Sequence, residues 1–523
     1  MIKAWTNCHI QPYGVQRAEE ILKNMEMGHI LPNITCYNTL IDGYACQGDS
    51  RSAERILRHL LSGSLYKRPT PDIYTFNAVL KAFSRSVGKK STHEDSLNSA
   101  QRSDSILSLL ENLEQNGSIH ADVITYNTVL RTLCNLRGDP TALEKALLLL
   151  QRMEDKGIID RISYNIVVAA YANQIEDTLR GLRCASAQYT LTRSFNPTML
   201  AEKAESFISR METINHTQPD EITYNTLMKA WSKVGDVDRA ELILQKMKKS
   251  DSNLSPTPMT YVSLLDAYAH SMNSRAHIKN VDVNVQRAKA LLAEMETAFQ
   301  SIPTIAYNAF LNILSKTHKM TEADSVLEEM ETSSDASTRP DVLSYCTIIN
   351  GWARSNHSDK AQKAYFILKR MLSRYEHGKT PENFNHGQLD QIRNAYNMSI
   401  MACAFTLKNL SLDQRLKAMG TAHEILLMMR ASKWHHPTTL TYELLFQGYA
   451  VWLYDVYPES HKYSIAFNTL QLCVEDGLVS NLVIERFMNV TSQDFRQSTN
   501  HQGFILGNMD KIPPEWRRNI RKR

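Results

Sequence analysis

Seven asparagines that each follow an aromatic residue are the side chains of this 523-residue sequence whose type and spacing most clearly indicate chemistry. The phrase Thr-Tyr-Asn-Thr at residues 125–128 returns unchanged at residues 223–226, and looser copies surround it. The seven are Asn38, Asn77, Asn127, Asn165, Asn225, Asn308 and Asn397. A carboxamide offers a hydrogen-bond donor beside an acceptor. The pattern therefore predicts recognition by hydrogen bonds.

The sequence contains only weak matches to the motifs of enzymes. Gly-Lys-Lys-Ser-Thr at residues 88–92 faintly resembles a phosphate-binding loop, but Phe83 stands where such a loop needs its first glycine. The histidines at 435 and 436 lack partner ligands, and adjacent histidines point to different faces of an element. None of the eight cysteines forms a C-x-x-C pair. We predict no enzyme activity, no cofactor and no metal site.

A second phrase follows the asparagine phrase and indicates the elements that position it. Alanine, two Ile/Leu-type residues and methionine recur at i, i+3, i+4 and i+7, as in residues 240–247. That spacing lies on one face of an α-helix. Residues 224–231 carry a similar apolar stripe, with Asn225 one residue off it. Each unit is therefore predicted to be a hairpin of helix A, with the asparagine, and helix B, with the alanine and methionine.

Serial recurrence of such hairpins predicts an all-α solenoid, because stacked units bury their apolar faces against one another. We expect a truncated first unit at 1–33 and a C-terminal extension with a basic tail at 481–523. The complete units are expected at 34–72, 73–122, 123–160, 161–220, 221–257, 258–303, 304–341, 342–392, 393–438 and 439–480. The polar runs 89–101, 173–197 and 376–390 are expected to be loop insertions, which cost little free energy.

Charge and composition restrict the partners. The formal net charge is +4, and five basic residues lie in the tail 516–523, so the remainder carries −1. Attraction to a polyanion must therefore come from local placement of charge. No apolar run is long enough for a membrane span, and cysteines within helical patterns indicate a reducing compartment. Residues 1–5 resemble the middle of a helix A, so we expect a truncated N-terminus in which no targeting peptide is visible.

These features resemble the pentatricopeptide repeat family over roughly residues 1 to 480. The carriers are the Tyr-Asn-Thr opening, the Ala…Met helix B and Pro-Asp junctions such as Pro219-Asp220. Tetratricopeptide repeats are the nearest rival, but their Trp-x-x-Leu-Gly opening does not recur. The resemblance implies a right-handed superhelix of helix-turn-helix repeats, of the P-type without a C-terminal catalytic extension. It also implies binding of single-stranded RNA in an organelle, one base per repeat.

In that family, two side chains read each base: the asparagine and the last residue before the next repeat. The pairs implied here are Asn38 with Asp72, Asn77 with Asp122, Asn127 with Asp160, Asn165 with Asp220, Asn308 with Asp341, Asn225 with Thr257 and Asn397 with Thr438. The Asn–Asp combination implies uracil, so the RNA is expected to be U-rich in part. Val262, Cys346 and Glu443 depart from the pattern.

Two further groups flank the asparagine positions. Apolar residues three positions earlier, which the resemblance implies sandwich the base, are Ile124, Ile162, Ile222, Met259, Ile305 and Leu343. Basic residues four or eight positions later, on one helical strip and suited to phosphates, are Lys81, Arg85, Arg131, Lys229, Lys233, Lys316 and Arg354.

Other interpretations remain at this stage. The junction aspartates could serve only as helix N-caps, and the isoleucines could pack between units. The function predicted is sequence-specific RNA binding in mitochondrial, or alternatively plastid, RNA processing, stability or translation, together with protein partners of RNA processing. The alternative is a protein–protein scaffold that holds an extended peptide. Clustered Lys and Arg beside the asparagines favour RNA, since a peptide scaffold has no need of them.

Overall fold

The computed structural model describes residues 3, 6, 13–28, 30–62, 69–87, 92–115, 119–136, 139–183, 196–214, 216–249, 254–272, 281–376, 386–405, 410–453 and 457–490. Within these ranges the regular structure consists of 22 α-helices and contains no β-strand. The prediction of an all-α repeat fold is confirmed. None of the helices described is long and apolar enough to cross a membrane.

Helices of type B and type A alternate along the chain. The B helices are α1 (Gly14–Met27), α3 (Ser50–Leu61), α5 (His93–Gln115), α7 (Pro140–Asp155), α9 (Pro197–Thr213), α11 (Val237–Lys249), α13 (Val281–Phe299), α15 (Met320–Thr332), α17 (Lys360–Glu376), α19 (Leu412–Ala431) and α21 (Glu459–Glu475). The A helices are α2 (Ile34–Gln47), α4 (Ile73–Ser86), α6 (Val123–Cys134), α8 (Arg161–Arg183), α10 (Glu221–Val234), α12 (Pro258–Ser271), α14 (Thr304–Lys316), α16 (Val342–Arg354), α18 (His386–Ala404), α20 (Thr439–Trp452) and α22 (Asn481–Met488).

Local chemistry sets where the A helices begin and end. At the start of α4, the Asp72 carboxylate accepts the backbone N–H of Thr75 at 2.8 Å, and the Thr75 hydroxyl accepts the backbone N–H of Asp72. This capping box satisfies two amides that lack partners within the helix. At the end of α10, Gly235 adopts a φ of +82°, a left-handed conformation that glycine takes without strain.

The core lies between the A and B helices. Ala240 and Met247 of the B phrase are buried, as are the equivalent residues of the other B helices except Met25, which is partly exposed. Trp231, Trp352 and Trp452 of the A helices are among the largest fully buried side chains. Burial of these and the other apolar side chains stabilises the fold, at roughly 25 cal/mol per Å² of area removed from water.

The chain divides into two compact units, residues 1–267 and residues 268–523. In each unit, successive A helices pack on one another. In the first unit the contacts run α2 to α4, α4 to α6, α6 to α8 and α8 to α10. In the second unit they run α14 to α16, α16 to α18, α18 to α20 and α20 to α22. The A helices of adjacent repeats therefore lie side by side, while the right-handed superhelical course stays a prediction.

The expectation that the polar insertions are loops is wrong for the parts described. Helix α5 begins at His93, α8 continues to Arg183 and α18 begins at His386. The extension of α8 is helical because it still has a buried side, where Ile175 and Thr178 lie. Residues 88–91, 184–195 and 377–385 and the basic tail lie outside the described residues.

Candidate functional site

The asparagine carboxamides meet the residues that cap the next A helix. In four Asn–Asp pairs, Nδ2 of the asparagine donates to an aspartate oxygen. The distances are 3.1 Å from Asn38 to Asp72, 3.3 Å from Asn77 to Asp122, 3.0 Å from Asn127 to Asp160 and 3.1 Å from Asn308 to Asp341. The two residues of each pair, which the sequence analysis predicted to read one base together, are thus in direct contact where one repeat meets the next.

The remaining pairs differ in their partners. Asp220, matched with Asn165, accepts a guanidinium N–H of Arg161 at 3.3 Å. Asn225 donates to the hydroxyl of Thr257 at 3.2 Å, and Asn397 donates to that of Thr438 at 3.4 Å. The threonine pairs are neutral and have no carboxylate to offer a ligand.

A third residue at each of the seven asparagine junctions was missed by the sequence reasoning. A serine or threonine two positions before the next asparagine position donates its hydroxyl to the asparagine Oδ1. The distances are 2.7 Å for Thr75 to Asn38, Thr125 to Asn77, Ser163 to Asn127, Thr223 to Asn165 and Thr441 to Asn397, and 2.6 Å for Thr260 to Asn225 and Ser344 to Asn308. We call asparagine, cap residue and hydroxyl residue a junction triad. The signal was present in the sequence, as the first residue of Thr-Tyr-Asn.

The aspartates of the junction triads have two roles. Besides meeting the asparagine, Asp72, Asp122 and Asp160 each accept the backbone N–H three residues later at 2.8 Å, as N-caps do. Burial raises the pKa of Asp72, but hydrogen bonds from Thr75 and Asn38 outweigh it and hold the pKa below the ordinary value of 3.8. The carboxylate therefore stays ionised and can only accept hydrogen bonds.

The apolar residues three positions before the asparagines are exposed to solvent. Their exposed fractions are 63% for Ile124, 51% for Ile162, 65% for Ile222, 52% for Met259, 49% for Ile305 and 47% for Leu343. Tyr74 and Leu440 occupy the same position and are 73% and 47% exposed, although sequence reasoning omitted them. Side chains this exposed are not buried by the packing of one repeat on the next. They present apolar surface beside the junction triads.

The predicted phosphate-binding residues fall into two groups. Arg131, Lys229 and Arg354 are exposed on the A helices. Lys81 pairs with Asp42 at 2.7 Å, but both side chains are about half exposed, so the pair is weak and exchangeable.

The others are engaged or less exposed. A guanidinium N–H of Arg85 donates to the carbonyl oxygen of Ala45 at 3.3 Å, and Lys316 Nζ donates to that of Ala269 at 2.7 Å. Lys233 is half-buried. Arg131, Lys229 and Arg354 are therefore the best placed to contact phosphates.

Three junctions have no asparagine. Val262 is buried, and burial raises the pKa of the Cys346 thiol to about 12, so it stays neutral. Burial also raises the pKa of the Glu443 carboxyl, although the charge of Arg486 and a hydrogen bond from Ser480 oppose the shift. None of these side chains offers a donor beside an acceptor as a carboxamide does.

Three segments of the chain match known families of repeats. A pentatricopeptide repeat domain matches residues 20–86, a PPR repeat family matches residues 219–270, and a PPR repeat matches residues 305–334. The matched segments contain Asn38, Asn77, Asn225 and Asn308. These three segments of the chain contain pentatricopeptide repeats. The family that the repeated phrases predicted is thereby confirmed.

Individual relatives resemble this pentatricopeptide repeat protein over parts of their length. A chloroplastic pentatricopeptide repeat-containing protein of Arabidopsis thaliana is 32% identical over 134 residues, which are 25% of this chain and 16% of the relative. A small ribosomal subunit protein of the same plant is 23% identical over 241 residues, 44% of this chain and 52% of the relative. The chain thus spans about half or less of these relatives. The solved structure of PPR10 from maize is 18% identical, with a TM-score of 0.34, and the match covers 91% of this chain and 73% of that one.

Proposed function

We propose that this pentatricopeptide repeat protein binds single-stranded RNA and reads one base at each junction triad. The observation that carries the proposal is the pairing of oriented carboxamides with exposed apolar side chains. Five of the seven asparagines have such a side chain three residues earlier, namely Asn77, Asn127, Asn165, Asn225 and Asn308. A base needs both features, because its faces are apolar and its edge carries donors and acceptors.

The hydrogen-bonding capacity of the carboxamide suits a base edge. In the Asn127 triad, Nδ2 uses one N–H on Asp160 and Oδ1 accepts from Ser163. One N–H and one lone pair remain. The Asn127 side chain is only 8% exposed, so a ligand reaches it along one edge, as a base inserted between apolar side chains would.

The aspartates favour uracil at the Asn–Asp positions. Uracil presents an N–H on its Watson–Crick edge, whereas the corresponding ring nitrogen of cytosine is an acceptor. An ionised carboxylate accepts hydrogen bonds only, and the lowered pKa values of Asp72 and Asp220 keep these groups ionised. We propose four consecutive uracil-preferring positions, read by Asn38, Asn77, Asn127 and Asn165, so that the RNA is U-rich in part.

Binding would act without catalysis by this chain. An occupied RNA is shielded from nucleases, loses competing hairpins and can recruit partners of RNA processing or translation. We place this activity in a mitochondrion or a plastid; the chloroplastic location in the name of one relative supports an organelle. Fractionation of cells with antibodies against the protein distinguishes the two compartments.

Selection from a random RNA pool, followed by sequencing, tests the proposal. The unsubstituted protein is compared with Asn127→Ala plus Asn165→Ala. The control is Asn24→Ala plus Asn112→Ala, which removes two exposed asparagines from B helices. We expect a U-rich motif that weakens at two adjacent positions in the first variant and persists in the control. Absence of both enrichment and salt-sensitive RNA retention would overturn the proposal in favour of a peptide scaffold.

A further inference from the structure

The hydroxyl residue and the asparagine of a junction occur together or not at all. For each of the seven asparagines, the third residue of the next A helix is a serine or a threonine. The three junctions with Val262, Cys346 or Glu443 instead have Ala306, Ala395 and Val483 at the equivalent position. If the hydroxyl served only as part of a capping box, its presence would not depend on a side chain in the preceding repeat.

Hydrogen-bond direction determines what the hydroxyl does. In the first triad, the Thr75 hydroxyl accepts the backbone N–H of Asp72 at 3.1 Å. Its own proton is then directed to the acceptors nearby, Asn38 Oδ1 at 2.7 Å and the Asp72 carboxylate at 2.8 Å. The asparagine must turn its oxygen toward the hydroxyl and its nitrogen toward the carboxylate. The opposite orientation would place two acceptors, amide and carboxylate, against each other.

We propose that these serines and threonines are positioning residues for base reading: they select one orientation of the asparagine amide and hence the pattern of donor and acceptor presented to the RNA base. The residues are Thr75, Thr125, Ser163, Thr223, Thr260, Ser344 and Thr441. The proposal rests on the proposed RNA-binding function. Without the hydroxyl, the amide oxygen loses its fixed donor, the carboxamide turns more freely and the base preference at that one position relaxes.

Thr125 offers a test with a matched control on the same helix. Thr125→Val removes the hydroxyl beside Asn77 with little change of shape, and Thr125→Ser restores it. Thr132 is also fully buried in α6, but its hydroxyl bonds to the carbonyl oxygen of Thr128 at 2.7 Å, away from any junction triad. Thr132→Val therefore controls for loss of a buried hydroxyl as such.

The measurement is the affinity of the full chain for four RNA oligonucleotides that differ only at the base assigned to Asn77 by the selection experiment. We expect Thr125→Val to lower the preference for the favoured base by roughly tenfold, the value of about one hydrogen bond. The preference at the Asn165 position should not change. Thr125→Ser and Thr132→Val should retain the original preference at both positions.

The outcomes separate this inference from the function on which it rests. An unchanged preference in Thr125→Val, or an equal loss of affinity for all four oligonucleotides, overturns the positioning role while RNA binding stands. No base preference in the unsubstituted chain overturns both. If Thr125→Val does not fold, as judged by its melting transition, Ser163→Ala beside Asn127 is measured with the same four-oligonucleotide design at its own position.

Discussion

The two compact units contain the same helical hairpins but differ in their junctions. Residues 1–267 carry five consecutive junction triads, beginning with Asn38 and ending with Asn225. Residues 268–523 carry two, at Asn308 and Asn397, separated by the junction of Cys346. At the junctions of Cys346 and Glu443 both asparagine and hydroxyl are replaced, while the A helices on either side still pack on each other. Packing of the hairpins therefore does not require a complete triad, and the first unit is the better candidate for continuous reading of bases.

The largest expected difference between the units concerns RNA affinity. Asn127→Ala plus Asn165→Ala removes two adjacent contacts, each worth about 1 kcal/mol, so the Kd should rise by about 30-fold. Asn308→Ala plus Asn397→Ala removes two contacts that are not adjacent. Each of them must order its own nucleotide with no complete triad beside it, so we expect the Kd to rise by only about fivefold. Titration of both variants with the selected RNA measures the ratio. Equal losses would show that continuity of triads does not matter.

Completing a junction in the second unit should produce a smaller gain. Glu443→Asn together with Val483→Thr builds a triad with Ser480, which already caps α22. We expect a new base preference of about tenfold at that position, since one oriented hydrogen bond is added.

Glu443→Asn alone is the matched control for this gain. It supplies the carboxamide without the hydroxyl, because the buried Val483 remains. Binding to oligonucleotides that vary at the base next to the one assigned to Asn397 distinguishes the two variants. An equal preference in both would show that the hydroxyl is dispensable.

Acid should weaken the first unit before the second. Burial raises the pKa of Glu19, but hydrogen bonds from Arg55, Tyr44 and Lys23 outweigh it and lower the pKa from 4.5 to about 2. Asp72 and Asp220 are lowered as well. A carboxyl with a lowered folded-state pKa stabilises the fold above its ordinary pKa, and this stability is lost as the pH falls through the folded value. The loss is expected between pH 4.5 and about 2.

The second unit contains carboxyls shifted the other way. Burial raises the pKa values of Asp324 and Glu443, so their protonation favours the folded state. Asp335 and Glu424 are lowered and partly oppose this gain. Hydrogen exchange of the full chain at pH 7 and at pH 3.5, with times corrected for intrinsic rates, measures protection in each unit. Earlier loss of protection in the second unit would contradict the expectation.

The smallest expected effect concerns salt. Lys229→Gln removes one exposed charge from α10, and each lost phosphate contact lowers the salt slope of binding to a single strand by about 0.7. Lys203→Gln makes the same charge change on an exposed residue of helix B, and its slope should equal that of the unsubstituted chain. Equal slopes for both variants would remove Lys229 from the phosphate contacts. The equivalent change in the second unit, Arg354→Gln, tests in the same way whether the basic residues of that unit contact RNA phosphates.

The sequence by itself determined the hairpins, because the spacing of apolar residues in phrases such as residues 224–231 and 240–247 specifies which helix faces can be buried. It also determined the asparagine positions, since they recur in the same phase, whereas their aspartate partners were implied by the resemblance to the pentatricopeptide repeat family. These features are local, so a one-dimensional pattern is sufficient to reveal them.

The tertiary structure decided what depends on distance between repeats. Thr75 and Asn38 lie 37 positions apart and join only because α4 packs on α2. The engagement of Lys316 by a backbone carbonyl and the helical extension of α8 likewise follow from neighbours that stacking supplies. A hydroxyl in a repeated phrase looks like an ordinary cap in sequence. Its contact with the preceding asparagine exists only where two repeats are held together by their buried faces.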